Sequence, residues 1–382
     1  MRVVAWGTYD KGKPRVRILL DGLRQNGIEI VECHADIWNG VEDKACMRKS
    51  WKLVPVLLRW IFSYPKLVIN YLLLPKHDAV FVGYMGHLDA IVLWPFAKLR
   101  GVPVIWDAFL SIYNTIVEDR GLTRRLNPLS FIVCILEFLA CCASNLILLD
   151  TNSHIDYFCK KYPLPPEKFL RVFVGVENNY FSELTSPYKA PQPNEPLKIL
   201  FYGQFIPLHG IEHIISTARL LEEQNIEFTI IGNGQEKEKI DNMLTNYPLP
   251  KLKWILWVPY KNLSEWIGDA DICLGIFGNS QKASQVIPNK VFQVLACGKP
   301  LITRDSPAIR ELLTPEMPGI RLVPPADPNR MAEAILDMRE ELISIPPEVL
   351  HQNLIKTLIP KAIGKTLKPT LVALVKSPKG TF

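Results

Sequence analysis

Short apolar and β-branched runs alternate along most of this chain with longer segments of helical periodicity, and that alternation predicts βαβ units wound around parallel sheets. In the first half, residues 2–6, 28–33, 79–83, 102–107, 146–149 and 169–174 read as buried strands, with helical spacing at 16–26, 90–100, 130–144 and 154–162. A second series follows, with strands at 197–202, 227–231, 252–257, 272–276, 300–303 and 320–323. Its helices are expected at 211–224, 235–245, 263–268, 290–296, 308–313 and 330–342. The two series are separated by SELTSPYKAPQPNEP, a polar, proline-rich stretch with the composition of a linker. The pattern divides the chain into domains at 1–185 and 196–345, and the amphipathic tail at 346–382 is expected to pack back on the first domain. Doubly wound sheets bind ligands outside the carboxyl ends of their strands, so a cleft between the two domains is the expected site.

Composition adds bounds. A chain of 382 residues that is 48% hydrophobic and 21% charged can bury two cores and does not have the composition of a disordered protein. The net charge of +6 is modest, and nucleic acid is not an expected partner. Its distribution is more telling: Lys44, Arg48, Lys49, Lys52, Arg59 and Lys66 lie in or beside a Trp-, Leu-, Val- and Ile-rich segment, so that 44–74 suits an anionic membrane surface. The plainer alternative is a pair of surface helices with solvated cations. The most apolar stretch, 131–149, carries Glu137 and Asn145 and reads as a buried helix running into a strand rather than a membrane span. MRVVAWGTYD enters a strand directly and lacks the build of a secretory signal, which points to the cytoplasm, with peripheral attachment to the inner face of the membrane as the furthest excursion. Eight scattered cysteines without CxxC spacing read as buried thiols in a reducing compartment, and no metal is expected.

Three segments carry chemistry. KILFYG turns at Gly203 into QFIPLHG before a helix, and FTIIGNG turns at Gly232, Asn233 and Gly234 before another. Free N–H groups and the helix dipole make such turns suited to phosphate, although each also serves simply as a turn. The third runs from Gln285 through Pro288, Asn289, Lys290 and Gln293 to Gly298. It places Lys290 in a first helical turn, where ammonium and dipole together meet a diphosphate, and Gln293 about one turn later, where an amide can bridge ribose hydroxyls. An amphipathic helix with a solvated lysine is the alternative reading.

With GQFIPLHG, IIGNG, WVPYKNL, GDADICL and PNKVFQVLACGKPLITRD in the second half, and GTYDKGKPRVRILLDGLRQNGIEIVE, VGYMGHLDA and GVPVIWDAF in the first, the chain resembles the family 4 retaining glycosyltransferases. That resemblance implies the α/β GT-B fold, two Rossmann-like doubly wound domains facing a central cleft. It implies an enzyme whose second domain holds a nucleoside-diphosphate sugar and whose first holds the acceptor, with neither metal nor other cofactor. Carried onto this sequence, it assigns Gly7, Gly203, Gln204, Asn233, Gly234, Val258, Asn289 and Gln293 to donor binding, and Asp107, His209, Lys290 and Gln285 to catalysis. The sequence departs from the family pattern where Gln204 and His209 stand for an arginine and a lysine, and where Gln285 and Gln293 stand for paired glutamates. Phosphate binding then leans on Lys290 and on backbone donors. The membrane-suited segment implies a lipid-linked, polysaccharide or glycolipid acceptor in envelope glycan synthesis. A nucleotide-sugar epimerase and a catalytically impaired scaffold share the architecture, whereas a dinucleotide oxidoreductase lacks its GxGxxG.

Overall fold

The computed structural model describes residues 1–37, 53–181, 195–344 and 350–376. Lys44, Cys46, Arg48, Lys49, Lys52 and nearly all of the expected linker lie outside the described residues. Two compact units form, one of Met1–Val117, Leu122–Gly175 and Ile359–Phe382, the other of Glu118–Gly121 and Val176–Leu358.

The first unit contains strands β1 (Arg2–Gly7), β2 (Glu29–His34), β3 (Ala79–Val82), β4 (Val104–Phe109), β5 (Leu146–Leu149) and β6 (Phe169–Arg171). They form one parallel sheet in the order β2-β1-β3-β4-β5-β6. Its helices are α1 (Pro14–Gln25), α2 (Leu53–Leu73), α3 (His87–Arg100), α4 (Pro128–Ala143) and α5 (Asn152–Lys161), with α14 (Pro360–Lys376) added from beyond the second unit. Side chains alternate across a strand. Val4, Trp6, Val82 and Trp106 accordingly pack with α2 to α5 on one face, while Val3, Ala5, Phe81 and Ile105 pack with α1 and α14 on the other. The α1–α14 contact is close because glycines meet: a Cβ on Gly364 would overlap the carbonyl oxygen of Gly22, and one on Gly22 would overlap that of Pro360.

The second unit contains β7 (Leu197–Tyr202), β8 (Ile226–Ile231), β9 (Leu252–Ile255), β10 (Ile272–Leu274), β11 (Leu301–Arg304) and β12 (Ile320–Val323), again all parallel, in the order β12-β11-β10-β7-β8-β9. Its helices are α6 (Asn178–Phe181), α7 (Ile211–Leu220), α8 (Lys237–Asn246), α9 (Leu263–Asp269), α10 (Gln281–Gln285), α11 (Asn289–Ala296), α12 (Pro328–Ser344) and α13 (Gln352–Ile355). In each sheet the first strand of the series has one branch of the fold on either side. The crevice at the carboxyl ends of β1 and β3, and that of β7 and β10, is therefore a topological switch point where such sheets bind ligands.

All twelve expected strands are present, with ends moved by a few residues. The helix expected at 308–313 shrinks to one 3₁₀ turn, Ile309–Glu311, because Pro307 and Pro315 bracket too short a run for an α-helix. The helix at the start of 131–149 is not a fully buried one: α4 buries Ser130, Val133, Glu137, Ala140 and Cys141 but turns Leu129, Phe131, Ile132, Ile135 and Leu139 outward. Its small and polar residues face inward, where Glu137 is satisfied, so hydropathy alone misplaced the helix. Cys33, Cys141, Cys273 and Cys297 are buried, Cys134 and Cys159 are half-buried, and Cys142 is exposed, contrary to the expectation of uniformly buried thiols. Among the described residues no helix is long and apolar enough to cross a membrane.

Candidate functional site

The switch point of the second unit is built around Gly203, the residue that follows β7. Its N–H donates to the carbonyl of Ile231 at 2.9 Å, extending the sheet one step further. Where β8 ends, a Cβ on Gly232 would overlap the carbonyl oxygen of Gly203, so the two turns approach backbone to backbone. Phe205 N–H then donates to the carbonyl of Asn233 at 2.9 Å and Glu236 N–H to that of Phe205 at 2.9 Å, locking the turns that precede α7 and α8 to each other. Gly234 N–H is taken by the side-chain oxygen of the exposed Asn233 at 2.8 Å.

His209 ends a 3₁₀ turn, and Gly210 follows it in the left-handed region at φ 63°, directly against Phe277 and Gly278. Phe277 N–H donates to the His209 carbonyl at 3.0 Å and Gly278 N–H to that of Leu208 at 3.1 Å, which ties the loop after β10 to the loop after β7. The imidazole Nδ1 of His209 meets the carbonyl of Gln204. From the first turn of α11, Lys290 reaches the same place: its Nζ donates to the carbonyl of Gly275 at 3.3 Å and lies 3.7 Å from the centre of the Phe201 ring. A Cβ on Gly203 would stand 3.0 Å from Lys290 Nζ and 3.0 Å from His209 Cε1. Two nitrogenous side chains therefore converge over one glycine.

Lys290 and His209 are only 5% and 8% exposed. Burial holds Lys290 well below the usual lysine range. Burial, and secondarily the neighbouring Lys290, hold His209 well below the usual histidine range, so in the free protein this imidazole is neutral at pH 7 rather than a substitute cation. Among the described residues Lys290 pairs with no carboxylate. A buried lysine amine beside a carbonyl and a ring face is suited to an anion, which would favour its charged form.

The amide of Gln293 is engaged at both ends. Tyr202 donates to its Oε1 at 2.9 Å, and its Nε2 donates to Tyr260 at 3.2 Å, whose hydroxyl donates in turn to Glu177 Oε2 at 2.8 Å. One amide hydrogen and one lone pair remain for a further partner. Gln285 ends α10 and is 8% exposed; Asn289 opens α11 half-buried, and Val258 lies half-buried in the turn after β9.

Two residues of this unit escaped the sequence reading. The loop from 278 to 287 contains no carboxylate of its own, yet Ser280 donates to Asp119 Oδ1 at 2.6 Å. Burial raises the Asp119 carboxyl, against the pull of the Ser280 hydrogen bond, Lys282 and Arg120. Arg120 extends its guanidinium to Gln204 Oε1 at 3.4 Å, and its carbonyl accepts from Gln235 at 3.0 Å. A cation thus stands beside the position where the family pattern has arginine and this chain has Gln204. Both residues belong to Glu118–Gly121, so far from 204 and 280 in sequence that no local pattern could join them.

Gly7 and Asp107 belong to the first unit. Gly7, at φ 122°, ends β1 directly over the carboxylate of Asp89. That carboxylate accepts from Thr8 N–H at 2.7 Å and from the Tyr64 hydroxyl at 2.9 Å, and burial pushes it up to about 6. Asp107 is fully buried: its Oδ1 takes Arg15 Nε at 2.8 Å, and the same guanidinium donates to the Val172 carbonyl at 2.8 Å. The described geometry gives Asp107 a structural partner, and a measurement separates that role from catalysis. Asp107→Asn is expected to destabilise the fold by about 3–5 kcal/mol because it leaves Arg15 buried and uncompensated. Arg15→Met with Asp107→Leu is expected to recover most of that loss in thermal denaturation. Activity of the recovered double variant would show that Asp107 has no chemical part.

Comparison with known proteins supports this architecture. Over 98% of its length the chain resembles the sucrose-phosphate synthase of Thermosynechococcus elongatus, with a TM-score of 0.71 and 15% identity over 99% of that chain. It likewise resembles HepE of Anabaena, solved in complex with UDP, with a TM-score of 0.64 and 11% identity over 98% of this chain and 100% of that one. The fold is therefore GT-B. The family model described as glycosyl transferases group 1 matches residues 196–341. The match falls within the second unit and takes in the Gly203 and Lys290 site. A probable glycosyltransferase of Pseudomonas aeruginosa, WbjE, is 23% identical over 181 residues, 45% of this chain and 44% of its own. The chain spans less than half the length of the curated relatives it matches.

Proposed function

We propose that this protein is a retaining glycosyltransferase that moves a sugar from a nucleoside diphosphate, bound by the second unit, to a lipid-linked, polysaccharide or glycolipid acceptor bound by the first. The observation that carries the reading is the convergence of Lys290 Nζ and the His209 ring on the Gly203 backbone at the switch point. A diphosphate placed there meets a lysine that, among the described residues, has no competing carboxylate, and draws it toward its charged form. The departing diphosphate gains charge as the glycosidic bond breaks, and a fixed cation whose attraction grows with that charge lowers the barrier. Gln293 then holds the ribose, Arg120 supplies charge beside Gln204, and no metal takes part. The work is that of envelope glycan assembly at the cytoplasmic side.

The test is a thermal-shift series with UDP, GDP, ADP and their sugars, since a ligand of the native state raises its melting temperature. A shift with one base series supports the reading, and no shift with any of them removes it. Transfer to an added acceptor, without epimerisation of the donor alone, then separates a transferase from an epimerase. A second reading, a binding protein without turnover, is favoured by the neutral Gln285 and Gln293; it predicts the shift without transfer.

The affinity for the nucleotide that binds is expected to fall as pH rises. A bound diphosphate draws Lys290 and His209 back toward their ordinary ranges, so binding takes up protons between each group's depressed free value and its higher bound value. Above pH 7, where the nucleotide's own titration is complete, calorimetry in buffers of different ionisation enthalpy reads this uptake directly. A flat profile there would show that Lys290 does not meet the phosphates.

A further inference from the structure

We infer that the helical layer α2-α3-α4 of the first unit is a monotopic docking face for an anionic lipid bilayer, and that α4 is its main inserting element. The inference is independent of the donor site. Helix α4 should hide its apolar side and show polar residues to water, as a helix covering a parallel sheet does. It does the reverse. Leu129, Phe131, Ile132, Ile135 and Leu139 are 52%, 56%, 52%, 55% and 44% exposed, and they recur at helical spacing along one side. The sole carboxylate of the helix, Glu137, is 0% exposed and turned inward, where Ser111 and Tyr162 donate to it at 2.7 and 2.8 Å. Nothing charged interrupts the outward side of the helix.

The two neighbouring helices also expose apolar side chains. Helix α3 packs against both α2 and α4. It exposes Trp94 and Leu99, while α2 exposes Ile61, Phe62 and Leu73 at 61%, 73% and 78%. The exposed charges on this layer share one sign. Arg59 and Lys66 on α2, Lys98 on α3, and Arg124 and Arg125 just before α4 are exposed cations. Asp89 and Glu137, the only carboxylates of the three helices, are 1% and 0% exposed. An apolar face several helices wide is larger than soluble monomers ordinarily show. A protein partner would be met by both signs of charge at the rim, whereas a rim of cations alone complements lipid phosphates. None of the helices is long and apolar enough to span. The geometry is thus that of a face lying in the head-group region, with α4 side chains reaching the acyl boundary. This surface extends well beyond 44–74, the stretch that sequence alone put forward.

Vesicle flotation of the full chain tests it. Wild type is expected to float with vesicles of phosphatidylcholine and phosphatidylglycerol, and less with phosphatidylcholine alone or at high salt. Ile132→Glu with Ile135→Glu changes only outward-facing positions, so its circular dichroism and melting temperature should match wild type. Its partition should fall on the order of tenfold or more, since two buried apolar contacts become charges. Arg124→Glu with Arg125→Glu should remove the preference for anionic vesicles and leave a residual apolar affinity. Unchanged flotation of the Ile132/Ile135 variant would overturn the proposal. So would absence of wild-type flotation; a concentration-dependent dimer that the same variant dissolves would then assign the face to a second copy of the chain.

Discussion

Lys290→Met is expected to raise the melting temperature of the free protein by a few degrees and to abolish the shift produced by the nucleotide that binds. The two effects have one cause. In the free protein the ammonium is 5% exposed, holds one carbonyl at 3.3 Å and faces an aromatic ring, which is thin compensation for lost hydration. Replacing it with a flexible apolar chain of similar length relieves the cost, worth about 1 kcal/mol or more of stability. The same replacement removes the charge that a diphosphate would meet, so the ligand-dependent gain disappears. The pH dependence has a definite sign. A lysine whose folded value lies below its unfolded 10.5 binds fewer protons when folded, so its contribution to stability is whole above that value and declines as pH falls toward the depressed one. Wild type should therefore gain stability between neutral and alkaline pH by a margin that Lys290→Met lacks. A variant with a lower melting temperature and an intact nucleotide shift would show that Lys290 is a structural residue.

Gly364→Val is expected to produce a large loss of stability in the first unit. The new side chain would collide with the backbone of Gly22, and neither helix can yield without separating α14 from α1. Ile363, Leu367 and Leu371 pack with Val16, Leu19 and Leu23 in the same core, so separation exposes both sides of that contact. Overpacking of a well-filled contact costs about 3 kcal/mol or more where backbone must move, which corresponds to roughly a 10 °C fall in melting temperature for a unit of this size. Lys365→Ala, one residue away on the exposed side, serves as the neutral control in the same thermal denaturation series. Equal melting temperatures for Gly364→Val and wild type would show that α14 does not hold the unit together.

Much of this molecule was legible in its sequence because two periodicities dominate it. Residues such as those of β5, β7 and β12 form compact, mostly apolar runs between turn signals, and their strands appear with the limits expected. The glycine turns at 203 and 232 were legible for a different reason: a strand followed at once by glycine and a helix has few physical meanings. What escaped depends on side-chain direction or on distant chain. Helix α4 has the composition of a buried helix, and only its orientation shows that the apolar side looks outward. His209 was assigned to catalysis, but how far its titration is displaced depends on enclosure and on Lys290, neither of which is written at position 209. Asp107 ends its side chain in a salt bridge with Arg15, 92 residues earlier, and Asp119 reaches Ser280 across 161. Pairings of that range have no local signature.

The return of α14 to the first unit also has a consequence for biosynthesis. Residues of the first sheet leave the ribosome early, but the helix that covers α1 is made only after the whole of the second unit. During that interval Val16, Leu19 and Leu23 have no cover from α14. Domains usually complete folding in the order of their synthesis. Here the order is inverted: the second unit can close its core on the nascent chain while the first waits for the segment that follows it. Agents that bind exposed apolar helices have their longest opportunity on α1, and a chain cut short before 360 would leave that surface open for good.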